Sequence, residues 1–250
     1  VELLRLAGLL RRVGHSWQHQ REQVEIAPHY AAVELHRKPG VTLSSRQVAA
    51  FIVEPIQGKG VNLPTDEFLP GAAALCKKYG TIFIADEIQT GIGRTGKFLA
   101  VEHWNVEPDM VLLAKALSGG HVPVGALLTR KSIFDKIFNQ MDRAVVHGST
   151  FAKNDLAMAA GIATLDVIKH EKLVEQAAKR GAELRLALTR LVPGYELLKE
   201  VRGKGLMIGI ELVRDRQTKE RAVEERNALV QAVFRRGVLI LGAGKNAMRL

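Results

Sequence analysis

The sequence contains only one cysteine, Cys76, so the chain can form no internal disulfide. Cys76 lies in an apolar-periodic stretch, where a buried structural thiol is expected rather than a nucleophile. No run approaches the roughly 20 consecutive apolar residues that a bilayer span requires, and no apolar stretch at the N-terminus ends in a small-residue cleavage site. We therefore expect a soluble, cytoplasmic protein that does not associate with membranes.

The excess of basic residues is large but does not indicate a nucleic-acid-binding surface. The chain has 36 Lys and Arg against 26 Asp and Glu, a formal net charge of +10. In the C-terminal third, basic residues alternate with acids along stretches such as Asp215 to Arg226, which is typical of a solvated helix face. His15 and His19 have the spacing of a zinc-binding helix, but Ser16 stands where the metalloprotease motif requires glutamate. We expect neither nucleic acid nor a metal ion as a ligand.

The pattern of apolar runs from Val48 onward predicts an α/β protein. A strand-helix-strand unit is followed by two further strands, and the connections are Gly- and Pro-bearing loops rather than tight hairpin turns. This arrangement favours a mostly parallel sheet. The expected elements are strand Val48–Val53, helix Asp66–Tyr79, and strands Thr81–Ala85, Met110–Leu113 and Val124–Thr129.

The C-terminal part of the sequence predicts a smaller α+β unit. A chain of 250 residues is long enough for one large and one small domain. We expect a leader of unclear origin at 1–46, the larger domain at 47–170 and a truncated small domain at 171–250. The elements expected after the last strand of the sheet are helices Asn154–His170 and Lys172–Leu191, strands Tyr195–Val201 and Leu206–Val213, helix Thr218–Arg235 and strand Val238–Leu241.

The glycine-rich loop Gly91–Gly96 matches two nucleotide-binding patterns, and both are rejected. It fits the dinucleotide pattern G-x-G-x-x-G, but Asp86–Thr90 separate it from the preceding strand and no clear helix follows. It is also one residue short of a P-loop, and Phe98 replaces the hydroxyl residue that would hold Mg²⁺. The sequence therefore favours neither dinucleotide binding nor phosphoryl transfer.

Asp86 and Lys115 each follow an apolar strand. The carboxyl ends of parallel strands meet at one edge of the sheet, which is where open α/β folds bind ligands. The apolar neighbours of Lys115, Ala116 and Leu117 among them, would partly desolvate it and favour the neutral, nucleophilic amine. It is equally consistent with a strand-end lysine whose ammonium group reaches water. Spacing alone does not decide between these interpretations.

Four motifs occur in order along the chain, and together they resemble class III pyridoxal-phosphate aminotransferases, in particular the ornithine, acetylornithine, 4-aminobutyrate and diamine aminotransferases. The match of order and spacing is specific and covers about residues 47–250. It implies the large domain of a fold type I transferase, incomplete in this chain, and part of a small C-terminal domain. The motifs are Glu54–Gly58 (EPIQG), Asp86–Gly91 (DEIQTG) followed by Gly93–Gly96 (GRTG), Lys115–Gly120 (KALSGG) and His147–Thr150 (HGST).

The resemblance implies a role for each motif in transamination between a primary amine or ω-amino acid and a 2-oxo acid. Lys115 would form the internal Schiff base with pyridoxal 5'-phosphate and carry the proton between substrate and cofactor. Asp86 would pair with the pyridinium nitrogen, which keeps the ring an electron sink. Gln89 would hydrogen-bond near the phenolic oxygen. Thr150 would bind the phosphate in the neighbouring subunit of a homodimer.

The resemblance also bears on the acids Glu54 and Glu87, and the sequence departs from the family pattern at Lys59 and at both ends of the chain. Glu54 would order the network around the site, whereas Glu87 would point away from it if the strand continued. Lys59 stands where many ω-aminotransferases have a glutamate that pairs with an arginine, which leaves the amine donor open. Residues 1–45 show neither the family's phosphate loop nor its stacking aromatic, and its substrate-carboxylate arginine is expected beyond Leu250. The alternative is an inactive fragment that retains a folded remnant or an interaction surface.

Overall fold

The computed structural model describes residues 21–24, 33–36, 48–145 and 148–250. The expectations for His15, His19 and His147, and most of the leader at 1–46, lie outside the described residues. Within that leader, two short strands pair antiparallel with Val24 opposite Val33. This pairing was not predicted, because the sequence there has poor periodicity. The strands are β1, Arg21–Val24, and β2, Val33–His36.

The first four-stranded sheet confirms the predicted α/β architecture with a mostly parallel sheet. Its strands lie in the order β3-β4-β5-β6, and the first three are mutually parallel. The last strand runs antiparallel to its neighbour. The connection from β5 to β6 contains only the short 3₁₀ helix Lys115–Ser118. The elements are β3 (Ala50–Val53), α1 (Phe68–Tyr79), β4 (Ile82–Asp86), β5 (Met110–Leu113) and β6 (Ala126–Thr129).

Helix α1 contributes the largest part of the core beneath this sheet. Its buried residues include Leu69, Ala72 and Cys76, which recur at the spacing of one helix face. They pack with Phe83 and Ala85 of β4. Burial, helped by the negative charge of a nearby aspartate, raises the pKa of the Cys76 thiol above its ordinary value. The prediction of a buried, structural cysteine is confirmed.

Three helices lead from the first sheet to the second. The two longer ones confirm the predicted helices with slightly shorter ends, and Asn154 begins the first of them by accepting a 2.9 Å hydrogen bond from the Ala157 amide. The short helix before them was not predicted because none of its residues is buried, so it has no apolar stripe. No described helix is both long and apolar enough to cross a membrane. The helices are α2 (Lys131–Ile137), α3 (Asp155–His170) and α4 (Leu173–Thr189).

The second four-stranded sheet is antiparallel throughout and has the order β7-β8-β10-β9. Its own core includes Ile210, Leu212 and Met248, while Met207 packs into the core of the first sheet. The predicted strand Val238–Leu241 is wrong in position, since the strand begins where that run ends, and the final strand was not predicted. The elements are β7 (Leu198–Lys204), β8 (Met207–Leu212), α5 (Val223–Phe234), β9 (Leu241–Ala243) and β10 (Ala247–Arg249).

Candidate active site

Asp86 and Lys115 lie at the same edge of the first sheet. Asp86 is the last residue of β4 and pairs in register with Leu112 of β5. Strand β5 ends one residue later, and Lys115 begins the 3₁₀ helix that follows. Because β4 and β5 are parallel, their carboxyl ends open toward the same side. The edge therefore carries one carboxylate and one primary amine.

Lys115 combines a strained backbone with a free side chain. Its φ of 49° places a non-glycine residue in the left-handed region, which costs on the order of 1–3 kcal/mol and is commonest at functional sites. The side chain is exposed, and no described residue pairs with its ammonium group. Of the two interpretations that the sequence left open, this exposure favours the lysine that reaches water, because Leu117 turns into the core whereas Lys115 stays at the open edge.

Ser118 fixes the turn that follows Lys115, a role that the sequence did not reveal. Its side chain is 1% exposed. The hydroxyl donates to the carbonyl of Val122 and accepts from the Val122 amide at 3.3 Å. The 3₁₀ helix ends at Ser118, and Gly119, which caps it with a φ of 64°, continues the turn. A short polar side chain thus closes the loop behind the lysine.

Asp86 is half-buried and only partly satisfied by the chain itself. Its Oδ1 accepts a 3.1 Å hydrogen bond from the Ile88 amide. The Oδ2 atom has no partner among the residues that the structure describes. A carboxylate oxygen at an open sheet edge is therefore left for a ligand that carries a hydrogen-bond donor or a positive charge.

Glu87, the next residue, lies on the opposite side of the backbone and belongs to the interior. It is fully buried, accepts from the Thr90 hydroxyl and accepts a 2.9 Å hydrogen bond from the Val101 amide. Burial raises the pKa of Glu87, although these hydrogen bonds oppose the effect. Its carboxyl group ties the DEIQTG turn to the 3₁₀ helix Ala100–Trp104. The prediction that Glu87 points away from the site agrees with this position.

Gln89 accepts a hydrogen bond from Arg249, an arginine that the sequence motifs do not include. Arg249 Nη1 donates to Gln89 Oε1 at 2.6 Å and to the Gly58 carbonyl at 2.9 Å. The Gly58 amide in turn donates to Glu54 Oε2 at 2.8 Å. A Cβ atom at Gly58 would lie 2.1 Å from Gln89 Nε2, so a larger residue would displace the end of the Gln89 side chain. Arg249 was missed because the strand that carries it is too short to show alternation.

Thr150 is not brought together with the other predicted site residues. It is exposed and lies in a turn before α3, and no hydrogen bond joins it to a described residue of the open edge. Large apolar side chains are exposed in this turn and along helix α3 that follows it, with Phe151 80%, Leu156 69% and Ile162 64% exposed. A phosphate-binding role for Thr150 within this chain has no geometric support.

The loop Gly91–Gly96 is not followed by an α-helix. After Gly96, the first regular element is only the 3₁₀ helix Ala100–Trp104, so the loop does not open an α-helix as a dinucleotide-binding turn does. Within the described ranges, no cluster of three or more His, Cys, Asp or Glu side chains could hold a metal ion. The chemistry available at the edge is that of an amine, a carboxylate and an amide.

Comparisons with known proteins give a consistent answer. The family model of class-III aminotransferases matches residues 17–250, which begins earlier than the motifs themselves indicate. An ornithine aminotransferase from Plasmodium falciparum (isolate CDC / Honduras) is 46% identical over 174 residues, which cover 69% of this chain and 41% of that protein.

Solved structures agree with the sequence comparisons. An amine transaminase from an uncultivated Pseudomonas species, in its PLP-bound form, has a TM-score of 0.77 and 37% identity over 82% of this chain and 48% of that chain. The ornithine aminotransferase from Toxoplasma gondii has a TM-score of 0.73 and 40% identity over 82% of this chain and 46% of that chain. The chain thus spans less than half the length of these relatives.

Proposed function

Because the chain belongs to the class-III aminotransferase family, we propose that it supplies the lysine and aspartate of a pyridoxal-phosphate-dependent transaminase. The reaction would move an amino group from a primary amine or ω-amino acid to a 2-oxo acid. The observation that supports this most directly is the shared edge of β4 and β5, where Asp86 and Lys115 lie with groups left unpaired by the rest of the described chain.

The residues at this edge fit pyridoxal 5'-phosphate. Asp86 offers an unpaired carboxylate oxygen to a protonated ring nitrogen, and Lys115 offers an exposed primary amine to a carbonyl carbon. The amide oxygen of Gln89 already accepts a hydrogen bond from Arg249, which orients the amide. Its other hydrogen-bonding groups are left for the cofactor. When bound, the cofactor supplies an electron sink for negative charge at the substrate carbon.

Each residue would then have a distinct task. Lys115 is an amine without a fixed internal partner, so it is able to attach the cofactor and to carry a proton at Nζ. Asp86 would keep a proton on the ring nitrogen by the attraction between opposite charges. Glu54 acts through the Gly58 backbone and so fixes the position of Gln89 rather than touching the reacting atoms.

Arg249 is the best candidate within this chain for holding a substrate carboxylate. Its Nη1 contacts two neutral oxygens, and no described carboxylate pairs with it. A guanidinium group matches a carboxylate in charge and in planar geometry. Lys59, one residue from Gly58, is exposed and adds positive charge where a glutamate would neutralise the arginine. The arginine that the family resemblance places beyond Leu250 stays a prediction.

Thr150 and its apolar surroundings support a homodimer with a shared site. Exposed side chains such as Phe151 and Leu156 form a surface that a second subunit would remove from water. In such a dimer, Thr150 would bind the phosphate of the cofactor in the neighbouring subunit.

We also propose a cytoplasmic location, consistent with the single, buried cysteine.

The test is to add pyridoxal 5'-phosphate to the purified protein and to record its absorbance. A band at about 410–430 nm that borohydride fixes to Lys115, as peptide mapping would reveal, would support the proposal. Label on Lys97 or Lys153 instead would overturn the assignment. Absence of the band would favour the alternative, a chain that keeps the fold and an interaction surface without an assembled site.

A further inference from the structure

The loop between β3 and α1 closes on itself at residues 57–62. The Gln57 amide donates to the Asn62 carbonyl at 3.0 Å, and Asn62 Nδ2 donates to Gln57 Oε1 at 3.0 Å. Between them, Val61 is fully buried and has a φ of 53°. A β-branched residue in the left-handed region is strained, and such strain persists only where the surroundings impose it. The contacts of the Gln57–Asn62 loop must therefore include the groups that hold this conformation.

The loop lies directly on the backbone of the second sheet. A Cβ atom at Gly209 of β8 would lie 2.8 Å from Val61 Cβ, and one at Gly244 would lie 3.2 Å from Gly60 Cα. A side chain at Gly209 would force the loop to move, and one at Gly244 would require the loop to give by a few tenths of an ångström. The second sheet is thus shaped to receive the loop at close range.

Arg202 of β7 forms hydrogen bonds with the second half of the loop. Its Nε donates to the Val61 carbonyl at 2.9 Å, and its Nη2 donates to the Gly60 carbonyl at 2.6 Å and to Asn62 Oδ1 at 3.3 Å. These are acceptors on three consecutive residues, one of them the strained valine. One planar guanidinium group therefore fixes the position of the whole turn.

Arg202 is itself held in place by acids of the second sheet. Its Nη1 contacts the carboxylates of Glu200 and Glu211, and Lys199 pairs with Glu211 at 3.1 Å. Burial would raise the pKa of Glu211, but hydrogen bonds from Arg202 and Lys199 outweigh it and hold the pKa below its usual value. The arginine side chain is only 17% exposed. The carboxylates of the second sheet thus fix the orientation in which the Arg202 guanidinium group contacts the loop.

The first half of the loop leads to the candidate active site. Gly58 contacts Gln89 and Arg249, as described above, and lies two residues before the carbonyl of Gly60 that Arg202 holds. We propose that Arg202 is a positioning residue, which holds the Gln57–Asn62 loop so that Gly58 places Gln89 and Arg249 for a carboxylate-bearing substrate. The inference rests on the proposed function for its kinetic consequence but not for its structural one.

Hydrogen exchange tests the structural consequence without any need for activity. In the purified protein, Arg202→Ala should speed exchange in the peptide covering residues 57–62 by about tenfold or more. Arg202→Lys retains the charge beside Glu211, so the variant should fold normally. Because a lysine cannot reach the three acceptors of the loop, this peptide should still lose protection.

Arg216→Ala is the matched control. Arg216 also donates to several carbonyls, those of Val192, Tyr195 and Leu198, but it contacts no residue of the Gln57–Asn62 loop. We expect it to deprotect its own surroundings and to leave peptide 57–62 unchanged. Equal protection of that peptide in the parent, Arg202→Ala and Arg202→Lys proteins would overturn the proposal.

Kinetics with a matched pair of amines tests the functional consequence. For 4-aminobutyrate, Arg202→Lys should raise KM by about tenfold while kcat changes by less than about threefold. For butylamine, which lacks only the carboxylate, KM should change by less than about threefold. Equal losses for both amines would show a merely structural role. The absorbance band and the label on Lys115 in the parent report separately on the proposed function.

Discussion

Charged side chains at the open edge of the first sheet have few partners within the chain, whereas those on the face of the second sheet have many. At the edge, Lys115 is exposed without a described partner, and Asp86 uses only one of its oxygens. On the second sheet, Arg202 is surrounded by carbonyls and carboxylates that use its donors. A charged group whose partners are all within the chain serves the fold, whereas one left unpaired at a ligand-binding edge is available for chemistry. The following substitutions test this distinction.

The largest effect is expected from Lys115→Ala. No other lysine follows β5 at the open edge, so the variant should lose transamination and the borohydride-fixed cofactor link altogether. The free energy of unfolding should change little, because the side chain is exposed. Lys97→Ala serves as the control and should retain both properties. Activity and peptide mapping measure the outcome, and a surviving covalent link would remove Lys115 from the site.

Asp86→Asn should leave the fold intact but lower turnover by several orders of magnitude. An amide carries no charge to stabilise a protonated ring nitrogen, while its oxygen can still accept the hydrogen bond from the Ile88 amide. Cofactor binding should weaken less than turnover does. Steady-state kinetics and a cofactor titration distinguish the two effects. Near-parental turnover would make Asp86 a structural acid at the end of β4.

Glu87→Ala should act on stability rather than on the chemical step. It leaves the Thr90 hydroxyl and the Val101 amide without an acceptor and opens a cavity, so the free energy of unfolding should fall by about 2–4 kcal/mol. Glu87→Gln should cost less, because it keeps an acceptor oxygen and carries no buried charge. Denaturant unfolding measures both variants. An Ala variant as stable as the parent would contradict the buried position.

The smallest effect concerns the pH dependence contributed by Glu211. Its pKa is lower in the folded state than in the unfolded state, so its stabilising contribution is present above the unfolded pKa, about 4.3, and is lost as pH falls through the folded value. Glu211→Gln should lower the free energy of unfolding at neutral pH by about 1 kcal/mol and flatten its decline in acid. Unfolding curves at pH 3 to 7 would test this, and parallel curves for both proteins would contradict it.

The elements that could be predicted from sequence are those with a clear apolar pattern and a polar residue at the end. Strands β4 and β5 are buried runs that stop at Asp86 and just before Lys115, so their position and the shared edge followed from the rule for parallel strands. The two long helices were equally clear. Helix α2 and strand β10 were missed because one is wholly exposed and the other is very short.

The contacts around the site depended on information that sequence patterns do not carry. Arg249 reaches Gln89 across 160 positions, and Arg202 reaches Gly60 across 142. The left-handed backbone of Val61 and Lys115 results from these tertiary contacts and from turn closure, against the preference of each residue type. The exposure of Lys115 likewise depends on where Leu117 packs. Such features follow from the assembled fold and not from local propensity.

The fit of the Gln57–Asn62 loop onto Gly209 and Gly244 also bears on how this protein could be recombined with its relatives. A chimera that exchanged the first sheet alone would place a foreign loop on a surface shaped for this one. A crossover between α3 and α4 divides the sequence at a natural boundary but separates the loop from Arg202 and from both glycines. Parents that differ at these contacts would yield misfitted hybrids. The loop and its contact surface on β7, β8 and the turn between β9 and β10 must therefore be inherited together.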